Sequence, residues 1–225
     1  IVFLSLPFIF GAVTRGSVRW IQIGSLTLQP SEIIKPFFII IFASFLSKNQ
    51  DSLSPKTLVS YITLLVLPAL FIFKQPDLGS TLVITAIWLG IFLASNLPTL
   101  WLIFLSLSFA SLSPLIFKFL KSYQKDRITS FLNPYKDPKG SGYQLIQSMI
   151  AVGSGGVFGL GLGHGTQSHL AFLPEQHSDF IFASLAEEMG LLGSIVLISA
   201  IFFLLKRILT ISKHTPDQFS YYICI

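Results

Sequence analysis

Charge is scarce in this sequence. Asp, Glu, Lys and Arg together make up 11% of the 225 residues, against about 25% in a soluble domain, so water is not the solvent for most of the chain. Cysteine is represented by Cys224 alone, which excludes an intrachain disulfide and offers no redox motif. There is no dense basic cluster either. Despite a formal net charge of +5, nucleic acid is therefore not an expected partner, and anionic lipid head groups are nearer ones. The chain has no initiator Met and no basic leader, so its opening does not read as a signal peptide.

What is abundant is apolar surface. Hydrophobic residues account for 52% of the chain, 22 of them Phe. They gather in runs such as 58–73 and 80–95, separated by short polar clusters, as expected for helices of about 20 residues crossing a hydrocarbon layer about 30 Å thick. Lipid supplies no partner for an unpaired backbone N–H or C=O, so these runs are predicted to be helical. The expected fold class is all-α, a polytopic integral membrane helix bundle forming one transmembrane domain over 1–225. Spans are predicted at 1–13, 31–46 with Ser31 as N-cap, 58–73, 80–95, 99–117 and 179–205, and a polar loop holding Arg15, Arg19 and Trp20 joins the first two. Both ends read as cut within a span, which makes the chain a fragment.

Between Lys118 and Ser178 the pattern changes to mixed charge and many glycines, and a loop of that length is usually functional. Within it, 142–157 predicts a helix lying at or dipping into the membrane. The short loops place the Lys48 side in the cytoplasm, while the six Lys and Arg of the long loop pull the other way.

The ionisable residues in this apolar setting are the candidates for chemistry. Glu32 and Lys35, three apart, share a helix face. Charges at membrane depth pair and face an interior or a wet cavity, so these two are expected to point inward, with Lys35 available to an anionic head group. Asp77, in Gln75-Pro76-Asp77-Leu78-Gly79-Ser80, reads as the cap of the next span. Asp179 stands at a membrane edge, where a half-desolvated carboxylate suits general-base work; an N-cap role for Asp179 or Ser178 is the alternative. At least one of Glu187 and Glu188 must point into the bundle. His164, His169 and His177, with Glu175 and Asp179, match no zinc spacing, and the glycines of 153–165 resemble a phosphate cradle in composition alone.

Taken in order, the motifs say more. Arg19-Trp20-Ile21, Gln29-Pro30-Ser31-Glu32-Ile33-Ile34-Lys35, Gln75-Pro76-Asp77-Leu78-Gly79-Ser80, Gly142-Tyr143-Gln144, Gln147-Ser148, Gly163-His164-Gly165-Thr166-Gln167-Ser168 and Leu173-Pro174-Glu175-Gln176-His177-Ser178-Asp179-Phe180 form a series that closely resembles the shape, elongation, division and sporulation family, whose members include RodA, FtsW and SpoVE. The Gly-His-Gly-Thr-Gln-Ser stretch and Leu185-Ala186-Glu187-Glu188 look more like the RodA branch, which favours cell elongation over division. Ser178 stands where the family usually has Thr.

The resemblance implies about six spans of a ten-span bundle in the bacterial inner membrane, with 118–178 as an extracytoplasmic loop carrying the active site. It implies a peptidoglycan glycosyltransferase that polymerises lipid II, the disaccharide peptide on undecaprenyl pyrophosphate, beside a class B penicillin-binding protein transpeptidase. Asp179 is then the catalytic residue, and Arg19, Trp20, Glu32, Lys35, Gln147, Ser148, Glu175 and His177 are the candidate substrate contacts. A divalent cation, Mg²⁺ or Mn²⁺, is also implied, although no dedicated site is visible. Because pyrophosphate is the leaving group, one carboxylate suffices where a glycoside hydrolase needs two. A lipid II flippase, which needs the charged cavity but no base, is the alternative function.

Overall fold

The computed structural model describes residues 2–14, 17–24, 26–49, 55–95, 122–140, 142–170, 172–173 and 178–225, with isolated positions at 104, 107, 111, 118 and 120. The chain divides into two compact units, Ile1–Ala110 with Ile208–Ile225, and Ser111–Arg207.

In the first unit, α1 (Val2–Phe10) leads into strands β1 (Ala12–Thr14), β2 (Ser17–Ile23) and β3 (Leu26–Leu28), followed by α2 (Pro30–Lys48), α3 (Pro55–Lys74) and α4 (Leu78–Leu93). The strands form an antiparallel meander in which Thr14 pairs with Ser17 and Ile23 with Leu26. This replaces the polar loop expected between the first two spans. Helix α2 begins one residue before the predicted start. Gln29 occupies the N-cap position without capping the backbone N–H groups of the first turn, its side-chain amide donating instead to Ser31 Oγ at 3.0 Å, and Pro30 follows it, where a missing N–H costs nothing. Ser31, expected to cap, is instead fully buried.

Aromatic side chains fill much of this unit's core. Tyr61 of α3 stacks on Trp88 of α4 at 5.0 Å between ring centroids, and Trp88 on Phe92 at 5.2 Å. The polar edges are satisfied reciprocally: Tyr61 Oη donates to the Trp88 carbonyl at 3.1 Å, and Trp88 Nε1 donates to the Tyr61 carbonyl at 3.2 Å, as buried Tyr and Trp require.

The second unit holds α5 (Ser122–Leu132), a 3₁₀ turn at Pro134–Lys136, α6 (Tyr143–Ser154), the single turn α7 (Thr166–His169) and most of α8 (Ile181–His214). A short α9 (Gln218–Ile223) closes the chain and belongs to the first unit. Among the described residues, α2, α3 and α8 are long and apolar enough to cross a membrane. The outward residues of α8, including Val196, Phe202, Phe203 and Leu204, are more than half exposed, as suits a lipid-facing helix. The span predicted at 99–117 falls largely outside the described residues.

Candidate functional site

In the first unit the polar motifs converge on Asp77. Its carboxylate accepts the Ser80 backbone N–H at 3.2 Å, capping α4 as the sequence predicts. It also accepts from Gln29 Nε2 at 2.6 Å and Ser31 Oγ at 3.2 Å, and Arg19 Nη1 lies 3.5 Å away. These donors, from two other elements, compensate a carboxylate that is 4% exposed, as a buried charge demands. Arg19 and Trp20 are neighbours on β2 at a bulge, where Ala12 pairs with Trp20 but Val13 pairs with Val18 and Arg19 is the extra residue. Only Arg19 reaches Asp77; its Nε is buried without a partner among the described residues.

One helical turn along, Lys35 Nζ bonds Glu32 Oε1 at 2.6 Å, and Ser80 Oγ donates to the same oxygen at 3.2 Å. The shared face read from their spacing is realised. The expectation that both point inward holds for Lys35, whose side chain is 19% exposed, but not for Glu32 at 53%. Glu32 lies in the first turn of α2, where a carboxylate is favoured by the helix dipole and open to solvent.

In the second unit, Asp179 stands at a cleft of about 400 Å³ lined by Ser148, Met149, Val152, Phe180, Phe182 and Ala183. Two elements make it: one face of α6, and the turn that opens α8. Asp179 is exposed rather than half-desolvated. The first bond of the helix runs from the Ser184 N–H to the Phe180 carbonyl, and among the described residues the Asp179 carboxylate has no hydrogen bond or ion pair. The capping alternative is therefore not what this side chain does. The structure brings Ser148 to the Asp179 cleft, with its hydroxyl donating to the Leu145 carbonyl at 2.8 Å. Gln147, its partly buried neighbour on α6, does not line the cleft. Glu175 and His177 lie outside the described residues, as does Arg15.

The expectation for the glutamates holds, since Glu187 is fully buried. Its carboxylate accepts the Gln167 backbone N–H at 2.8 Å and the Thr166 hydroxyl at 3.2 Å. Sequence reasoning missed what lies beside it. Gly190, at φ 65° and ψ −161°, breaks α8 from within. The bonds that Leu191 and Leu192 would make to the carbonyls of 187 and 188 are exchanged for four others. Leu160 and Gly161 N–H donate to the Glu187 and Glu188 carbonyls, both at 3.0 Å, and Leu191 and Leu192 N–H donate to the Gly156 and Val157 carbonyls at 2.9 and 3.2 Å. The two N–H groups and two carbonyls of those bonds are thus all satisfied, as a helix in lipid requires. Two amides of the glycine-rich stretch, those of Leu160 and Gly161, are thereby spent on α8 rather than offered to an anion. The sequence offered no more than a glycine inside an apolar run.

Comparison with known proteins bears on what these units serve. The chain is 39% identical over 211 residues to the peptidoglycan glycosyltransferase MrdB of Escherichia coli strain K12, covering 93% of this chain and 57% of the relative. It is also 39% identical over 226 residues to a probable peptidoglycan glycosyltransferase FtsW of Coxiella burnetii, covering 97% of this chain and 59% of the relative. The chain thus spans less than two thirds of either. A solved chain from a study of a peptidoglycan synthase complex that coordinates polymerisation and crosslinking superposes with a TM-score of 0.77 at 23% identity, covering 99% of this chain and 62% of the other, and so shares the fold. The family model described as cell cycle protein matches residues 1–225 throughout, and on that match this helical, multi-pass membrane protein belongs to the family of FtsW, RodA and SpoVE.

Proposed function

We propose that the protein of which this chain is part is a peptidoglycan glycosyltransferase that polymerises lipid II, with Asp179 as general base. The observation that carries the reading is the carboxylate of Asp179, uncommitted among the described residues, at a largely apolar cleft, in a chain whose named relatives carry that activity. In the reaction, the acceptor sugar hydroxyl forms the new bond to the donor's anomeric carbon and passes its proton to Asp179. The bond from that carbon to the lipid pyrophosphate breaks, and the proton is then released to water. Apolar walls from Met149, Val152, Phe180 and Phe182 suit the side of a substrate that keeps its tail in hydrocarbon.

Ser148, Gln147, Glu175 and His177 are the proposed substrate contacts of the loop region, and Arg19, Trp20, Glu32 and Lys35 those contributed by the first unit. The cleft belongs on the outer face of the bacterial inner membrane, where 118–178 is extracytoplasmic, and a class B penicillin-binding protein is the partner that crosslinks the product. Relatives of both the MrdB and FtsW kinds match at the same identity; the RodA-like loop motifs favour elongation. Among the described residues, no three His, Cys, Asp or Glu side chains come together to hold an ion. A divalent cation, Mg²⁺ or Mn²⁺, belongs to the proposal and would supply positive charge to the departing pyrophosphate.

The test is polymerisation of purified lipid II by the full-length parent in the absence of any other polymerase, beside its Asp179→Asn variant. Removing a general base costs about 10²–10⁴ in rate, and the variant should still fold and bind lipid II. Transport of lipid II without polymerisation by the parent would establish the flippase alternative. Parental rates in Asp179→Asn with loss in Glu175→Gln would move the base to Glu175.

A further inference from the structure

We infer that Glu187 is a positioning residue for the Asp179 cleft, acting through the Thr166–Gln167 turn; the inference rests on the glycosyltransferase reading above. Glu187 is fully buried and lies six residues into α8, about 9 Å along the helix axis from its first residue at 1.5 Å per residue. It is not among the residues that line the cleft. Its carboxylate holds a turn some twenty residues earlier in the chain, accepting the Gln167 N–H at 2.8 Å and the Thr166 hydroxyl at 3.2 Å.

That turn is a single four-residue helix, too short to hold its shape alone. Its Gln167 carbonyl accepts the Leu173 N–H at 3.1 Å. Leu173 is in turn fully buried, in a small core with Ala151 of α6 and Ala183 of α8, against which Phe180 packs. Ala183 and Phe180 are themselves walls of the Asp179 cleft. A continuous path of hydrogen bonds and packing thus leads from the Glu187 carboxylate, through 166–173, to the two elements that hold Asp179 and Ser148. An apolar residue at 187 would fill the space but leave the Gln167 amide without its acceptor, and the turn would lose its anchor.

Displacements of about 1 Å far from the chemistry can cost about 10²-fold in rate, so the role has a kinetic signature. In the full-length protein, Glu187→Leu should lower kcat for lipid II polymerisation by about 10- to 100-fold while leaving KM within about two-fold. Glu187→Gln keeps an acceptor oxygen for the Gln167 amide and should restore most of that loss. Parental kcat in a folded Glu187→Leu variant overturns the inference, as does equal impairment of the Leu and Gln variants. If Glu187→Leu does not fold, Thr166→Val removes a bond to the Glu187 carboxylate at an exposed residue; it should still lower kcat at constant KM, and an unchanged kcat overturns the inference. Asp179→Asn run alongside separates the two claims. If it is inactive while Glu187→Leu is unimpaired, only the positioning role falls; if it keeps the parental rate, the base assignment falls and with it the cleft that Glu187 positions.

Discussion

Replacing Gly190 by Ala tests the break in α8 most directly. With φ at 65° and ψ at −161°, Gly190 occupies a backbone region used almost solely by glycine, and forcing a side chain there costs about 1–3 kcal/mol. Space is refused as well: a Cβ would press on the Gly159 amide nitrogen and lie 2.6 Å from the Val157 carbonyl oxygen. Those atoms belong to the segment that satisfies the break, so it must retreat. Losing two of the four exchanged hydrogen bonds adds about 2 kcal/mol at a net of about 1 each. The sum is about 3–5 kcal/mol, a large share of a typical stability of about 5–15 kcal/mol. At about 2–4 °C per kcal/mol for a chain of this size, the midpoint should fall by roughly 6–20 °C. The assay is thermal unfolding of the detergent-solubilised full-length parent, followed by tryptophan fluorescence and by loss of the monodisperse peak. Gly153→Ala is the control. That helical position has nothing within 4 Å of an added Cβ, and Ala there should be neutral or stabilise by up to about 1 kcal/mol. A Gly190→Ala protein melting within about 2 °C of the parent would refute the reasoning, because the strain and the exchanged bonds would then carry no weight.

Lys35→Ala should reduce lipid II polymerisation by the full-length parent more than the double change Glu32→Gln with Lys35→Met reduces its folding yield. The half-exposed Glu32 makes the pair worth less than about 1 kcal/mol to stability, and unaltered polymerisation in Lys35→Ala would remove its substrate role. At the cap of α9, the Ser220 backbone N–H and then its hydroxyl, each 3.0 Å from Asp217 Oδ2, lower the Asp217 pKa from its ordinary value of 3.8. A lowered folded value means the stabilisation is complete above about 3.8 and is lost as pH falls through it. Protection of the Ser220 amide in hydrogen exchange should therefore drop at low pH in the parent, and Asp217→Ala should show weak protection at every pH; equal protection in both would count against the cap.

Part of the design is local, and the sequence alone determined it. Apolar runs of span length settle the helices, since lipid leaves the backbone no other partner. Asp77 three residues before Ser80 settles the α4 cap, and the three-residue spacing of Glu32 and Lys35 settles their ion pair, because both depend on helix geometry and not on distant chain. Part of the meander was legible: Ser17-Val18-Arg19-Trp20 alternates, and Ile21-Gln22-Ile23 is followed by Gly24-Ser25, a two-residue hairpin signal. A polar composition concealed it. Other features wait on tertiary structure. Gln29, Ser31 and Arg19 meet Asp77 across some fifty residues, and no periodicity relates positions that far apart. Glu187 could be predicted to point inward, but its partners at Thr166 and Gln167 were set by where a loop returns. Gly190 reads in sequence as one more small residue in a helix. Only the approach of 156–161 allows the helix to open there, because the groups it frees could not be left unpaired in lipid.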